Sequence, residues 1–325
     1  MAFRLKLVPD ETHFNFFRWQ RYTFGLSAFA MIASVVLLLT MGLNFGIDFK
    51  GGTTIRTESP NEFNVADYRA ALTGVPGIGD VSITEVFDPT FGSEKHVAQV
   101  RIGATDGTEA MTPEQIGAVE DALKTADPDV SFAAVESVGP KVSSELIKTA
   151  VYAVVAASAG ILFYIWIRFE WQFAVGGVVA IVHDVLVTMG IFALLQLRFD
   201  LSTIAALLTI LGYSINDTVV VFDRLRENLI KYKNMVLVDV MNLSVNETLS
   251  RTVMTAVTTL IALIALFVLG GDVIRGFVFA MIWGVIVGTY SSVYVAKNIV
   301  LWLGVKRDWS KPDPEELPDQ FREAP

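Results

Sequence analysis

Six apolar runs, each long enough to cross a bilayer, constrain this chain more than any other feature. They fall at about 24–47, 149–167, 172–195, 201–223, 250–271 and 276–300. A helix needs about 20 apolar residues to cross the hydrocarbon core. Inside that core only helices and closed barrels satisfy their own backbone groups. The expected fold class is therefore a multi-span α-helical membrane protein with six transmembrane helices. Its 53% hydrophobic composition agrees. The first run carries 24 residues without a charge. That is longer than a signal-peptide core, and no small-residue cleavage pattern follows it, so it reads as a retained span.

Lys and Arg concentrate in alternate connections. Arg4, Lys6, Arg18 and Arg21 precede the first run, Arg168 separates the second from the third, and Arg224, Arg226, Lys231 and Lys233 separate the fourth from the fifth. Lys306, Arg307 and Lys311 follow the sixth, whereas the short connections on the other side hold only Arg198 and Arg275. The positive-inside rule then puts both termini in the cytoplasm and residues 48–145 outside, in the periplasm of a Gram-negative cell. The expected division is a cytoplasmic segment 1–23, a first span 24–47, an outer domain 48–145, five further spans within 146–305, and an acidic cytoplasmic tail 306–325.

Residues 48–145 carry 17 acidic and 7 basic side chains, which accounts for the chain's net charge of −9. Their patterning alternates strand and helix signals. TTIRT (53–57) reads as a strand, and Asn64 caps a helix to about Leu72. VSITEVF (81–87) and HVAQVRI (96–102) flank the turn DPTFGSEK. Thr112-Pro113-Glu114-Gln115 opens a helix to about Thr125, and VSFAAVESV (130–138) closes the set. The order β-α-β-β-α-β predicts a small α+β ferredoxin-like domain. The polar stretch KVSSELIK reads as a helical extension of the second span. Residues 225–248 read either as a short amphipathic helix at the membrane surface or as a plain connector.

Within the spans, Asp217 stands out. It has the 16 uncharged residues 201–216 before it and five more after it. A carboxylate there costs roughly 2.5–3.5 kcal/mol on insertion scales. Arg251 opens the next run, and because the two helices are antiparallel both charges fall in the same half of the bilayer. Asp217 lies about 10 Å inside Arg224 at 1.5 Å per residue. Thr248, Arg251, Thr255, Thr258 and Thr259 recur at helical spacing, and Tyr213 and Asn216 cluster beside Asp217, with Gly212 allowing close approach. His183 and Asp184 interrupt the third run and add a second titratable pair. The functional reading of Asp217 and Arg251 is a proton relay; the structural one is a static ion pair that fixes helix register. His183–Asp184 is either a further relay or a pair that orients its helix. Gly284 and Gly288 are spaced for helix packing. Asp48 reads as a boundary and hinge residue.

These stretches also carry a resemblance. GLNFGIDFKGGT (42–53), RFEWQFAVGGVVAIVHD (168–184), FDLS (199–202), LLTILGYSINDTVVVFDRLREN (207–228), LSVNETLSRTVMTAVTT (243–259), IRGF (274–277) and GTYSS (288–292) stand in order. Together they closely resemble the SecF branch of the SecDF family of bacterial protein export. The resemblance implies half of a resistance-nodulation-division-type bundle, paired pseudosymmetrically with SecD in the inner membrane. It implies a role in drawing exported polypeptide through SecYEG with the proton-motive force, with YajC as a further partner. It makes Asp217 and Arg251 the proton-path charges, SecD adding another membrane Asp that this chain lacks.

Other function classes fare less well. Absent cysteine and three scattered histidines, His13, His96 and His183, offer no metal cluster, and protons are the only cofactor expected. No phosphate loop or nucleophile elbow points to an enzyme. No basic patch with interleaved aromatics points to nucleic acid. A small-molecule exporter of the same architecture would need a second half. A membrane insertase or scaffold subunit without proton flux would carry the same charges for structure alone.

Overall fold

The computed structural model describes residues 9, 12–62, 64–86, 96–103 and 111–305. Six helical stretches are long and apolar enough to cross a membrane: Gln20–Thr40, Val142–Arg168, Trp171–Leu195, Leu201–Lys231, Leu237–Leu269 and Ile274–Leu303. They belong to helices α1 (Gln20–Thr40), α5 (Pro140–Arg168), α6 (Trp171–Leu195), α7 (Leu201–Lys231) and α8 (Leu237–Leu269), and to a last span in three pieces. Those pieces are α9 (Asp272–Ser291), a π-helical turn over Ser292–Ala296, and α10 (Lys297–Leu303). Much of α6, α7 and the last span is enclosed, while α1, α5 and α8 are mostly exposed along their lengths. Exposed Leu, Ile and Phe side chains on those three helices are what a lipid-facing surface requires.

The segment 225–248 forms neither a surface helix nor a simple connector. α7 continues to Lys231, and α8 begins at Leu237 and runs unbroken to Leu269. Polar pairing between the two helices explains this. Asn228 donates from Nδ2 to Ser244 Oγ at 3.0 Å and to Glu247 Oε2 at 2.6 Å, and Arg224 Nε donates to the same Glu247 oxygen at 2.7 Å. The polar residues that suggested an interface thus zip α7 to α8. On the other side of α8, Asn246 Oδ1 accepts from the Phe14 amide at 2.9 Å and Asn242 Oδ1 from the Phe16 amide at 3.0 Å, seating the segment before α1.

Between α1 and α5 lie strand β1 (Asn44–Phe45), the single-turn α2 (Ile47–Lys50) and an α+β unit. The unit comprises β2 (Gly52–Ser59), α3 (Val65–Thr73), β3 (Val81–Val86), β4 (His96–Gly103), α4 (Pro113–Ala126) and β5 (Ser131–Val138). Its sheet runs β3-β4-β2-β5 with every neighbour antiparallel. Ile55, Ala98, Val100 and Ile102 pack beneath Tyr68 and Leu72 of α3 and Val119 and Leu123 of α4. Asn64 accepts from the Ala66 amide, and Thr112 with Gln115 closes a capping box with Pro113 at the first turn, so both helix starts follow their sequence signals. The DPTFGSEK turn lies outside the described residues, as does the acidic tail.

The stretch 42–53 fastens the unit to the bundle. β1 pairs in parallel with β6 (Arg198–Phe199), the connection between α6 and α7. The Gly46 amide donates to Phe199 O at 2.8 Å, and Asp48 Oδ2 accepts from the Leu201 amide at 3.0 Å, helping Asp200 cap α7. Asp48 is therefore a boundary residue that ties the end of the first span to the start of the fourth. Gly51 and Gly52 have φ of +76° and +142°, a backbone that side chains with a Cβ resist. They turn the chain from α2 directly into the central strand of the sheet.

Inside the unit, Asp127 ends α4 and receives Tyr68 Oη at 3.3 Å and Asn61 Nδ2 at 3.3 Å. Burial pushes the Asp127 carboxyl up, but hydrogen bonds from Ser59, Asn61, the Asp129 amide and Tyr68 outweigh it and hold the group below its ordinary value. Burial and the Asp127 charge push the Tyr68 phenol up. A lowered carboxylate contributes stability above the unfolded value of about 3.9, which is lost as pH falls through the folded one. The protection of β2 amides against exchange in the purified protein, corrected for the intrinsic rate at each pH, should therefore fall below about pH 4. Asp127→Asn should flatten that dependence; an unchanged profile would show that this carboxylate carries none of it.

Candidate functional site: the ionisable residues within the bundle

Asp217 sits on the enclosed side of α7 at 3% exposure, between Ser214 and Val221 on the same face. Its Oδ2 is buried and has no hydrogen-bond partner. Arg251 and Thr255 of α8 act on it from across the helix pair. The expected ion pair is not formed: no contact within 4.0 Å joins Asp217 to Arg251 among the described residues. The reason is the length and position of the arginine. Arg251 is exposed, near the end of the span, and lines a cleft of about 430 Å³ with Arg168, Asp223, Arg224, Glu227 and Glu247. Around it the other cations are paired, Arg168 to Asp223 at 2.9 Å and Arg224 to both Glu227 and Glu247. Among the described residues Arg251 has no such pair, and it lines the polar cleft, where arginines near span ends place their charge.

The threonine face is resolved in detail. Thr248 donates to Ser244 O, Thr255 to Thr252 O and Thr258 to Met254 O, so these hydroxyls bond back to their own helix. Thr255 and Thr259 approach Tyr213, whose buried hydroxyl closes no hydrogen bond. Thr209, Gly212 and Asn216 of α7 and Arg251 and Thr258 of α8 are exposed, with Tyr213, Thr255 and Thr259 half-buried beside them. A Cβ added to Gly212 would meet nothing within 4 Å, so the predicted close approach is not made within this chain. The result is an open polar stripe along two spans, next to a buried carboxylate.

His183 and Asp184 form a different assembly, wholly inside the bundle. His183 Nδ1 lies 2.9 Å from Asp184 Oδ1, and both residues are at most 2% exposed. Asp184 Oδ2 accepts from Ser214 Oγ at 2.5 Å and from Ser291 Oγ at 2.8 Å. One carboxylate thus joins α6, α7 and α9. Gly288 makes this possible, since a Cβ there would lie 3.2 Å from Ser214 Cβ, and Gly284 is tighter still, since a Cβ there would run into Ile210 Cγ1. The His183 ring lies 6.1 Å from that of Tyr290, whose hydroxyl donates to Thr23 O at 2.8 Å and bonds Ser27 Oγ at 3.0 Å, bringing in α1. Ser214, Ser291 and Tyr290 fall within the quoted GYSIND and GTYSS stretches but carry no charge to flag them.

Lys297 also went unremarked in the sequence, although it is the one charged residue of the 276–300 run. It is 1% exposed, and its Nζ has no hydrogen-bond partner. The ammonium instead lies over the rings of Phe17, Phe16 and Tyr294 at 4.1, 5.0 and 5.6 Å. Cation–π attraction replaces the missing carboxylate.

A helical bundle with six spans, ionisable groups enclosed within it, and an α+β unit fastened between the first and second spans defines an integral, multi-span membrane protein. Comparison with known proteins specifies it further. The description "Protein export membrane protein SecD/SecF, C-terminal" matches residues 118–306, and "SecD/SecF GG Motif" matches residues 36–59. The chain is 69% identical over 313 residues to protein translocase subunit SecF of Cereibacter sphaeroides, covering 96% of each chain. It is 64% identical to that of Rhodobacter capsulatus over 97% of this chain and 96% of the relative, and 40% identical to that of Vibrio alginolyticus over 98% and 99%. A crystal structure of SecDF from Thermus thermophilus, described as a translocon-associated membrane protein, superposes with a TM-score of 0.78 at 36% identity. That match covers 91% of this chain and 39% of the other. A SecDF structure in a super-membrane-facing form gives 0.68 at 37% identity, over 92% and 39%. The chain belongs to the SecF family of protein translocase subunits, and it spans about two fifths of the length of the SecDF chains it matches.

Proposed function

We propose that this chain is the SecF half of a SecD–SecF complex that uses the proton-motive force to help draw exported polypeptide through SecYEG, with YajC as an associated subunit. The observation that carries this is the open polar stripe of α7 and α8 beside Asp217, whose buried Oδ2 has no partner. Polar side chains exposed at this depth in lipid are costly and need covering. A second half that brings its own Asp would cover the stripe and enclose Asp217, Tyr213, Asn216 and the Thr255–Thr259 face in one proton path. The chain's span of only part of the SecDF structures supports the same reading.

In this reading both termini lie in the cytoplasm and the α+β unit lies in the periplasm. Its β-α-β-β-α-β order and β3-β4-β2-β5 sheet support the ferredoxin-like assignment. A proton arriving from outside neutralises Asp217 and removes the charge that attracts the unpaired Arg251 across the α7–α8 pair. The repacking of α7 against α8 moves the unit through the β1–β6 pairing and the Asp48–Leu201 bond, and the unit holds the emerging polypeptide against backsliding. One charge crossing 100 mV supplies about 2.3 kcal/mol, a bias of about 50-fold. That drives small ratcheting steps rather than forced unfolding.

A photoreactive residue placed at Asn216 or Thr258 tests the assembly in living cells. SecD should be captured at both, and not from Leu39 on the outer side of α1. Capture equal from all three positions, or from none, would remove the proposed seam.

A further inference from the structure

We infer that a cleft between the start of α1 and the end of α10 binds an anionic glycerophospholipid by its phosphate. The cleft has a volume of about 440 Å³ and is lined by Gln20, Arg21, Phe24, Asn298, Leu301 and Trp302. That volume falls within the range of about 300–1,000 Å³ typical of ligand sites.

Its lining divides into the two halves such a lipid needs. The polar half is Gln20, Arg21 and Asn298. Arg21 is exposed and, among the described residues, has no ion pair. Asn298 is 4% exposed and its Nδ2 has no hydrogen-bond partner. A buried amide donor left unmatched costs free energy until an acceptor arrives, and a half-turn of the amide exchanges its two ends at no cost in shape. The apolar half is Phe24, Leu301 and Trp302. Trp302 is 83% exposed, and Phe24 43%. Exposed aromatic side chains at the ends of two apolar helices mark the membrane boundary.

Charge complementarity selects the headgroup. Among the described residues no acidic side chain lines the cleft. Lys297, one residue before Asn298, keeps its Nζ among rings and, among the described residues, pairs with no carboxylate. Among the described residues the cleft's own charge is that of Arg21, and an arginine fork matches a phosphate bidentately. A zwitterionic lipid brings a cation of its own to the same place and is disfavoured. The acyl chains would lie along Phe24 and Leu301, in continuity with the lipid face of α1.

The test is native mass spectrometry of the full chain with its copurified partner, extracted from vesicles of phosphatidylethanolamine and phosphatidylglycerol. Retained phosphatidylglycerol is expected on the unaltered protein. It should fall about five-fold in Arg21→Gln, the equivalent of one surface cation–lipid contact. Trp302→Ala should lose it as well, and Arg18→Gln, a cation outside the cleft, should not. Millimolar glycerol 3-phosphate should fail to displace the lipid; displacement would assign the cleft to a soluble phosphate and overturn the lipid. Equal retention by Arg21→Gln, or an equal loss in Arg18→Gln, would overturn the site. So would a complex that carries no lipid while a photoreactive residue at position 302 captures the partner subunit.

Discussion

In cells whose only copy carries Asp217→Asn, export of a secreted precursor is expected to fall at least about ten-fold, while the protein's membrane level and the copurification of its partner stay normal. The substitution keeps the shape of the side chain and removes the charge and the titratable site. Asp217 makes no ion pair with Arg251, and its Oδ2 has no hydrogen-bond partner, so little of the bundle's packing depends on the carboxylate. This separates the proton-coupled reading from a scaffold, which would tolerate the change. Normal export at normal protein level would end the relay proposal and leave Asp217 a structural residue. The companion change Arg251→Gln should give the same export defect, because the mechanism needs a charge that responds to the state of Asp217. A defect in one but not the other would break the proposed coupling.

Asp184→Ala should instead lower the stability of the bundle itself, by about 3–5 kcal/mol, as expected when one member of an enclosed charged network is deleted. Three groups lose Asp184 as an acceptor at once, Ser214 Oγ, Ser291 Oγ and His183 Nδ1, and of these Ser291 keeps Gly288 O at 3.1 Å. They lie on α6, α7 and α9, so the loss is felt across three spans. Asp184→Asn keeps one acceptor oxygen and should recover part of the loss, and Ser291→Ala should cost about 1 kcal/mol. Thermal unfolding of the detergent-purified variants reads all three. A Tm within a degree of the unaltered protein for Asp184→Ala would show that the node does not hold the helices. The contrast with Asp217 is the point of the pair: two carboxylates in adjacent spans, one satisfied on every side and one left open.

Periodicity and hydropathy made the six spans legible because each is a long run of a single chemical character. Helix ends were less legible. α7 and α8 overrun their apolar runs, since Asn228, Ser244, Glu247 and Arg224 satisfy one another across the hairpin and let helix continue into polar sequence. Strand order was readable up to the pattern of elements, but the pairing of β1 with β6 was not. Two residues contacting others more than 150 positions away leave no local signal. Among the site residues, Asp217, Arg251, His183 and Asp184 announced themselves as charge in apolar sequence. The distance between Asp217 and Arg251 did not, because sequence places Cα atoms in the same layer and says nothing of where a long arginine stem turns. Ser214 and Ser291 are small, neutral and common in spans; only the carboxylate between them gives them meaning. Lys297 shows the limit in the other direction, a charge in plain view whose partners are rings from a segment some 280 residues earlier.

That seating of Phe14, Phe16 and Phe17 against Asn246, Asn242 and Lys297 also sets an order of events during synthesis. The stretch ahead of α1 leaves the ribosome before any of the six spans, yet its docking ground lies on α8 and α10. Until residues 242–297 have been inserted, three aromatic rings must wait at the membrane surface without their receptor. Closure of the bundle therefore has a built-in late step, in which the segment before α1 locks onto α8 and α10 only after the helices between them are in place.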